Sequence, residues 1–321
     1  MLFRILGHLR VEEEVEVRSP TRRAILTALL LRSGHPVGMT ELAEMLWDDP
    51  PLSARANIRS HFTGLRRDLD QALPGLSHRI KTCRGTQSGY RIEVGPGEVD
   101  LPTFVQSSRQ GRNYLARGEV ERATAVLEDA LALWRGPFGQ DLPMTRWFDA
   151  HATGLRNGRL DTYEDLFTAL LIAGRTEMLS YRIETIIAEA PYRQRLWELL
   201  AAVYCVQGDS AGALSVLRRC RTVLVEDLGL DVPPNVEAMR GAALTWDGDE
   251  ALRLVAGAAS CRAQTTGRGV GPGREEGRAL PSMPAQASLP GVDRVKFPTV
   301  IGPPGISSAD FPRRKRGLTP L

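Results

Sequence analysis

The stretch SARANIRSHFTGLRRDLDQALPGLSHRIKTCRGTQSGYRI, residues 53–92, decides the fold of this chain. Its first part repeats apolar residues at helical spacing, which predicts an amphipathic helix over 54–69 with one apolar stripe. The stripe consists of Ile58, Phe62, Leu65 and Leu69. Ser53 precedes the helix, where an N-cap residue accepts hydrogen bonds from the first backbone amides. The second part predicts two short strands around a basic, glycine-rich turn.

This stretch is far more positive than the chain as a whole. It contains eight Lys/Arg and two Asp, a net charge of +6, whereas the full chain of 321 residues carries +3. The helix would bury its stripe and display arginines, whose planar guanidinium groups bind guanine edges or clamp phosphates. For the helix alone, a solvated surface helix with incidental arginines is an equally good interpretation. Gly64 predicts a close approach of the backbone to DNA or to another helix, or a weak point in the helix.

The flanking segments favour the DNA-binding interpretation. Ser19 and Pro20 predict the start of an upstream helix. Thr40 is expected to cap a second helix with acidic residues in its first turn. Residues 3–17 contain short strand-like pieces. The order of strands, three helices and a hairpin predicts a winged helix-turn-helix in a mainly α fold with a small β component.

Three segments resemble the OmpR-type winged helix: residues 26–47, 54–69 and 80–92. The Leu-Trp pair before Asp-Asp-Pro-Pro and the Leu-Arg-Arg-x-Leu ending are particularly similar to the antibiotic regulatory proteins of actinomycetes. That family joins the winged helix to a helical bacterial transcriptional activator domain, which VDLPTFVQSSRQG, ALALWRGPFGQDL and the segment 203–239 resemble in turn. The resemblance covers residues 1–246, about three quarters of the chain.

The resemblance implies a set of residues that contact double-stranded DNA. On the recognition helix they are Arg55, Asn57, Arg59, Thr63, Arg66 and Arg67. His61 and Trp47 are expected at phosphates, Thr82 and Arg84 in the wing, and Tyr90 where the wing closes. The wing departs from the family pattern, because Cys83 interrupts it and three polar residues, 86–88, lengthen its turn. Which wing residue enters the minor groove is therefore left open.

Charge and glycine spacing divide the chain into three parts. We expect a winged helix over 1–97 with net charge +3, an all-α domain over 98–246 with −4, and a tail over 247–321 with +4. A net negative domain would repel phosphates along its surface. The tail contains 11 Gly and 9 Pro without a sustained apolar period, which predicts disorder.

The middle domain repeats a glycine between helical patterns. Gly174 and Gly208 lie 34 residues apart, the period of a tetratricopeptide helix pair. Gly118 and Gly174 lie 56 apart, so an irregular loop with two Trp is expected between them. Stacked helix pairs leave a concave surface that usually binds protein. The alternative is that the repeats serve only dimerisation or stability.

The composition indicates neither an enzyme nor a membrane protein. No apolar run approaches the roughly 20 residues that span a bilayer, and no secretory signal pattern is present, so we expect a cytoplasmic location. The four cysteines form no C-x-x-C pair and the five histidines have no metal spacing. Motifs of nucleotide-binding loops and hydrolases are also missing. We therefore expect no catalytic residue, metal or cofactor.

The resemblance implies a transcriptional activator that binds promoter direct repeats as a homodimer. It also implies contacts with RNA polymerase, including its sigma subunit, and target genes in secondary-metabolite (antibiotic) clusters. Two alternatives are open: a helical-repeat adaptor whose winged helix binds protein, and a repressor gated by a small molecule. Steep weakening of binding with salt would favour DNA over protein as the partner.

Overall fold

The N-terminal part of the chain folds around helices α1–α3 with short strands on either side. The structure is a computed structural model and describes residues 1–12, 15–32, 34–83 and 89–267. The helices are α1 Pro20–Leu31, α2 Met39–Leu46 and α3 Ala54–Ala72. The strands are β1 Phe3–Arg4, β2 Arg10–Val11, β3 Val37–Gly38, β4 Ile80–Cys83 and β5 Gly89–Ile92. This order confirms the predicted winged helix-turn-helix.

Helix α3 begins at the predicted residue and ends three residues later than predicted. Its apolar stripe is buried, and the helix packs against α1 and α2. Leu73 closes it in an extended conformation with φ −148° and ψ 121°, and its N–H donates to the Leu69 carbonyl oxygen. The next residue is Pro74, whose ring disfavours helical geometry in the residue before it. The helix therefore ends where the proline begins to restrict the chain.

Two predicted helix caps differ in the structure. Helix α2 begins at Met39 with Gly38 as its N-cap, so Thr40 lies inside the helix and does not cap it. The Thr40 hydroxyl accepts a hydrogen bond from Arg55 instead. Ser53 is the N-cap of α3, but its hydroxyl accepts from the Asn57 side chain at 3.2 Å, and no backbone amide donates to it. Both hydroxyls are used by neighbouring side chains, a competition that a cap pattern does not reveal.

The wing strands form one sheet with a strand that precedes α2. Strand β5 lies between β3 and β4 and runs antiparallel to both. Tyr90 is opposite Val37 on one side and Thr82 on the other. Gly89 allows the close approach, because a Cβ there would stand 2.2 Å from the Val37 carbonyl oxygen. The sheet thus ties the wing to the start of the helix-turn-helix.

The second part of the chain consists of helices and connecting loops where it is described. Its helices are α4 Asp100–Ala116, α5 Val120–Ala132, α6 Arg146–Ile172, α7 Leu179–Glu189, α8 Gln194–Val206, α9 Ser210–Arg221, α10 Pro234–Leu244 and α11 Gly248–Gly267. Gly118, Gly174 and Gly208 end α4, α6 and α8 with φ of 76°, 70° and 77°. Left-handed φ at this position favours glycine, so the repeated glycine marks the helix turns.

The predicted start of the disordered tail at residue 247 is wrong for its first part. Helix α11 covers Gly248–Gly267, and Ala251 and Val255 are buried in the core of the helical domain. The sequence missed this helix because its apolar residues are mostly small and Gly257 interrupts them. Residues 268–321 lie outside the described residues.

Side chains of the helical domain contribute to the hydrophobic core of the winged helix, and the helical domain has a second core of its own. Phe104 of α4, Phe138 of the loop after α5 and Phe148 of α6 are buried in the same cluster as Phe62 of α3. Trp134 meets Phe104 edge-on, with ring centres 5.3 Å apart. The irregular loop expected between Gly118 and Gly174 is present at 133–145 and contains Trp134, whereas Trp147 lies in α6. Residues of this loop complete the core of the N-terminal domain.

Candidate nucleic-acid interface

Helix α3 presents an exposed face that carries unpaired arginines. Arg59 and Arg67 are exposed, and neither forms an ion pair within the described parts of the chain. Thr63 lies between them, and its hydroxyl donates to the Arg59 carbonyl oxygen at 3.4 Å. Guanidinium groups that lack a protein partner keep their donors available for bases and phosphates. This face is therefore the part of the helix whose donors are available to bind a ligand.

The first turn of α3 is held by its neighbours. Arg55 Nη2 donates to Thr40 Oγ1 at 3.0 Å, which links α3 to the first turn of α2. Asn57 Nδ2 donates to Ser53 Oγ at 3.2 Å. Arg55 and Asn57 are both exposed, so these contacts orient side chains that solvent still reaches.

Arg66 binds the wing. Its Nη2 lies 3.3 Å from both the Ile80 carbonyl oxygen and Thr82 Oγ1, and donates to them. The guanidinium carbon stands 5.9 Å from the centre of the Tyr90 ring, which itself stacks on Phe62 at 3.6 Å. Three of the predicted site residues, Arg66, Thr82 and Tyr90, thus form one cluster that fixes the wing to α3. The helical periodicity placed Arg66 beside Arg67 and could not separate their roles.

The flank of α3 on the side of α1 is covered by Arg22. Its Nη1 lies 3.0 Å from both carboxylate oxygens of Asp68. A Cβ at Gly64 would stand 2.3 Å from Arg22 Cζ, so the guanidinium crosses the helix where the glycine leaves room. A close backbone approach was one prediction for Gly64, whereas the structure shows that a side chain of α1 fills this space. His61 lies on the same flank, and its pKa is lowered by burial and by Arg22.

The positive charge of the wing is largely neutralised by residues that follow it. Glu93 pairs with Lys81 at 3.5 Å and with Arg91 at 2.9 Å. Glu98 pairs with Arg79 at 3.0 Å. The net charge of +6 was counted over residues 53–92 and so does not include these two carboxylates, which lie just after that stretch. Among the described residues of this stretch, the unpaired positive charge therefore concentrates on α3.

The remaining predicted site residues lie apart from the exposed face. Trp47 is the C-cap of α2 and is half-buried against the N-terminal core. Arg84 lies outside the described residues. Arg22 is a residue that the sequence analysis missed, because its partner Asp68 is 46 positions away. An arginine on a buried helix beside a helical glycine is the signal that was available.

Buried polar contacts fix the interface relative to the helical domain. The Asp100 carboxylate, 1% exposed, accepts hydrogen bonds from the amides of Ile5 and Leu6, both at 2.9 Å. Burial raises the pKa of Asp100, against the effect of these two bonds and of Arg135. Thr145 Oγ1 donates to the Met45 carbonyl oxygen at 2.8 Å. These contacts join the segment after β1 and the end of α2 to the second domain.

The described residues contain no group of three His, Cys, Asp or Glu side chains placed to hold a metal ion. Within the same residues, every helix is too short or too polar to cross a bilayer.

Two family models match the two parts of the chain. The transcriptional regulatory protein, C terminal, matches residues 12–92, and the bacterial transcriptional activator domain matches residues 99–262. The second match extends through most of α11, in agreement with the structure and beyond the boundary predicted at 246. Together they place both matched domains in the order predicted.

Known transcriptional regulators are similar to this chain over both domains. EmbR of Mycobacterium tuberculosis is 32% identical over 241 residues, and the alignment covers 74% of this chain and 61% of EmbR. DnrI of Streptomyces peucetius is 28% identical, covering 70% of this chain and 84% of DnrI. AfsR of Streptomyces griseus is 30% identical, covering 76% of this chain and 24% of AfsR. The chain thus spans about three fifths of the length of EmbR.

A solved structure has the same arrangement. Mycobacterium tuberculosis EmbR, determined in complex with a low-affinity phosphopeptide, matches with a TM-score of 0.74 and 30% sequence identity. The match covers 83% of this chain and 69% of the EmbR chain. From the two matched domains and these relatives, the chain belongs to the antibiotic regulatory protein family of actinomycetes, transcriptional regulators with an OmpR-type winged helix followed by a bacterial transcriptional activator domain.

Proposed function

We propose that this regulator is a sequence-specific DNA-binding activator that uses α3 in the major groove. Arg59 and Arg67 carry the proposal, since both are exposed and neither has an ion-pair partner among the described residues. A solvated helix without a ligand usually balances such charges with nearby carboxylates. Arg59 and Thr63 would face base edges, and Arg67 would face bases or phosphate. Arg66 would act through the wing.

The flanks of the interface would set the register on DNA. Arg55 and Asn57 would meet the backbone at the first turn of α3, where their hydroxyl partners already orient them. His61 and Trp47 are proposed at phosphates. Thr82, Arg84 and Tyr90 are proposed in the wing, beside the adjacent minor groove.

The assembly on the promoter is also a proposal. Two protomers would occupy direct repeats and recruit RNA polymerase, with its sigma subunit among the contacts. The target would be a secondary-metabolite cluster, and the protein would act in the cytoplasm on the nucleoid. DnrI and AfsR, to which the chain is similar, are regulatory proteins of Streptomyces, which supports the choice of target.

The test combines footprinting with binding measured at rising salt. Footprinting on the intergenic DNA beside the gene would identify the target duplex. We expect Arg59→Ala to weaken binding to that duplex by about 1–3 kcal/mol and to relax specificity at one position. Wild-type affinity should fall linearly on a log–log plot as salt rises, because phosphate contacts release counterions.

The control is Arg122→Ala, since Arg122 is an exposed arginine of α5 in the helical domain, where it pairs with Glu119 at 2.7 Å. It should leave target binding unchanged. Absence of preference for any duplex over random competitor at moderate ionic strength would overturn the proposal and leave the adaptor interpretation. Higher promoter output after removal of the protein would instead indicate a repressor.

A further inference from the structure

A groove of about 330 Å³ lies between α9 and α10 of the helical domain. Apolar side chains from both helices and from the turn between them line it: Leu214, Leu217, Val232, Val236 and Leu244. Leu244 is 53% exposed at its edge, although the other large apolar residues of its helix, Val236 and Met239, are buried. A partly exposed apolar floor of this kind is typical of surfaces that bind a partner.

The groove is edged by arginines. Arg218 and Arg221 of α9 and Arg240 of α10 line it. Arg240 pairs with Glu237 at 3.6 Å, whereas Arg218 and Arg221 are exposed and form no ion pair among the residues that the structure describes. Of the residues that line the groove, Glu237 is the acidic one.

This positive edge stands out from the charge of its domain. Residues 98–246 carry 16 Lys/Arg and 20 Asp/Glu. A short π-helix, Thr222–Asp227, continues α9 and contributes Glu226 and Asp227. These two residues and Asp231 are exposed and do not line the groove. Local arginines in an acidic domain attract an anionic partner to one place, whereas the acidic remainder of the domain repels it elsewhere.

Exposed apolar residues continue along the same segment of the chain. Leu228 and Leu230 are 43% and 52% exposed, and Trp246 is 73% exposed. Trp246 also has a positive φ of 58°, which is uncommon for a bulky residue. Arginine and tryptophan are the residue types most enriched at the centres of protein interfaces. The segment 214–246 thus combines the two features of a helix-binding surface.

Two occupants from the chain itself fit this charge poorly. Residues 268–321 carry nine Lys/Arg and four Asp/Glu, so their net charge has the same sign as the groove edge. A second copy would have to offer an acidic helix with an apolar outer face. The acidic helix α5 buries its apolar residues Ala123, Leu127 and Ala130 in the fold.

We propose that the α9–α10 groove binds an acidic amphipathic helix of another protein. Apolar side chains at i, i+3 or i+4, and i+7 of that helix would enter the groove, as in other helix-in-groove complexes. Carboxylates on its flanks would pair with Arg218 and Arg221. This inference goes beyond DNA binding by α3. Because its test contains no DNA, the proposal for the groove and the proposal for DNA binding can fail independently.

The probe is a fluorescein-labelled peptide of about four helical turns with Leu at the groove-facing positions and Glu on both flanks. Fluorescence anisotropy of the full chain measures its binding. We expect Arg218→Glu together with Arg221→Glu to weaken binding about tenfold, through two lost pairs and added repulsion. Leu244→Gln should weaken it as well, since Leu244 lines the groove and its exposure makes the fold tolerant of the change.

The matched control is Arg109→Glu of α4 together with Arg117→Glu at its C-cap. Both arginines are exposed, neither forms an ion pair with a described residue, and their reversal changes net charge equally. It should preserve affinity for the peptide, and circular dichroism should show all variants folded. The proposal is overturned if a Lys-flanked peptide binds as well as the Glu-flanked one, or if the groove variants bind like wild type. It is overturned too if those variants dissociate a dimer in sedimentation, because the occupant would then be a second copy.

Discussion

At the scale of single residues, Gly64 combines a cost and a contact within α3. A glycine in a helix interior is about 1 kcal/mol less favourable than Ala. Here the missing side chain lets the Arg22 guanidinium cross the helix and bind both oxygens of Asp68. The glycine is therefore explained by a long-range ion pair between α1 and α3.

This explanation predicts coupling between the two positions. In an Arg22→Ala background, Gly64→Ala should stabilise the protein by about 1 kcal/mol through helix propensity. In the wild-type background the gain should be largely lost, because the new Cβ displaces the guanidinium from Asp68. Urea denaturation of the four proteins measures the coupling as a double-mutant cycle.

Gly154 of α6 provides the control, since a Cβ there would meet open space. Gly154→Ala should give the same gain with and without Arg22. Equal effects of Gly64→Ala in both backgrounds would show that Arg22 does not depend on the glycine.

At the scale of elements, Arg66 joins a helix to a hairpin. Arg66→Met keeps the aliphatic stem and removes the donors to Ile80 and Thr82. The loss of these long hydrogen bonds should cost about 1 kcal/mol locally and raise opening of β4 and β5 about fivefold. Amide hydrogen exchange of the hairpin measures this opening, without DNA.

The neighbouring Arg67 makes the comparison direct. It is exposed and unpaired among the described residues, so Arg67→Met should leave exchange in β4 and β5 as in wild type. If Arg66→Met also left it unchanged, the contacts of Arg66 with the wing would have no role in holding it.

Local patterns predicted the elements that they encode directly. The start of α3, its apolar stripe and the helix-ending glycines follow from spacing and composition. Strand β3 has two residues and depends on pairing with β5, so no local pattern marks it. The roles within the site were less predictable, since Arg22, Thr40 and Glu93 meet Asp68, Arg55 and Lys81 only in the folded chain.

At the scale of the whole molecule, the two domains are joined through Asp100. Its carboxylate is buried, accepts two amide hydrogen bonds from the N-terminal segment and lies 4.0 Å from Arg135. Because burial raises its pKa, the folded protein binds a proton there more tightly than the unfolded chain does. Stability contributed by this group is therefore greatest in acid and falls as pH rises through the raised pKa.

The prediction compares wild type with Asp100→Asn. The variant loses one of two buried acceptors, which should lower the free energy of unfolding by about 1–3 kcal/mol. The difference in the free energy of unfolding between wild type and variant should be larger near the ordinary Asp pKa of 3.8 than at neutral pH. The reason is that wild type loses stability when Asp100 releases its proton as pH rises, whereas Asn has no such proton. Urea denaturation across this range measures it, and a deficit independent of pH would contradict the assigned shift.

The shared core has a practical meaning for hybrid regulators. A winged helix from another regulator, joined at residue 97, would leave Phe104, Phe138 and Phe148 of the recipient packed against side chains that do not match them. If the donor sequence instead continues through about residue 155, the core of the winged helix contains donor side chains alone, because Leu155 is the last described residue that packs on that cluster. Hybrid regulators of this family that are joined near residue 155 should fold and bind the operator of the donor, whereas those joined at residue 97 should misfold.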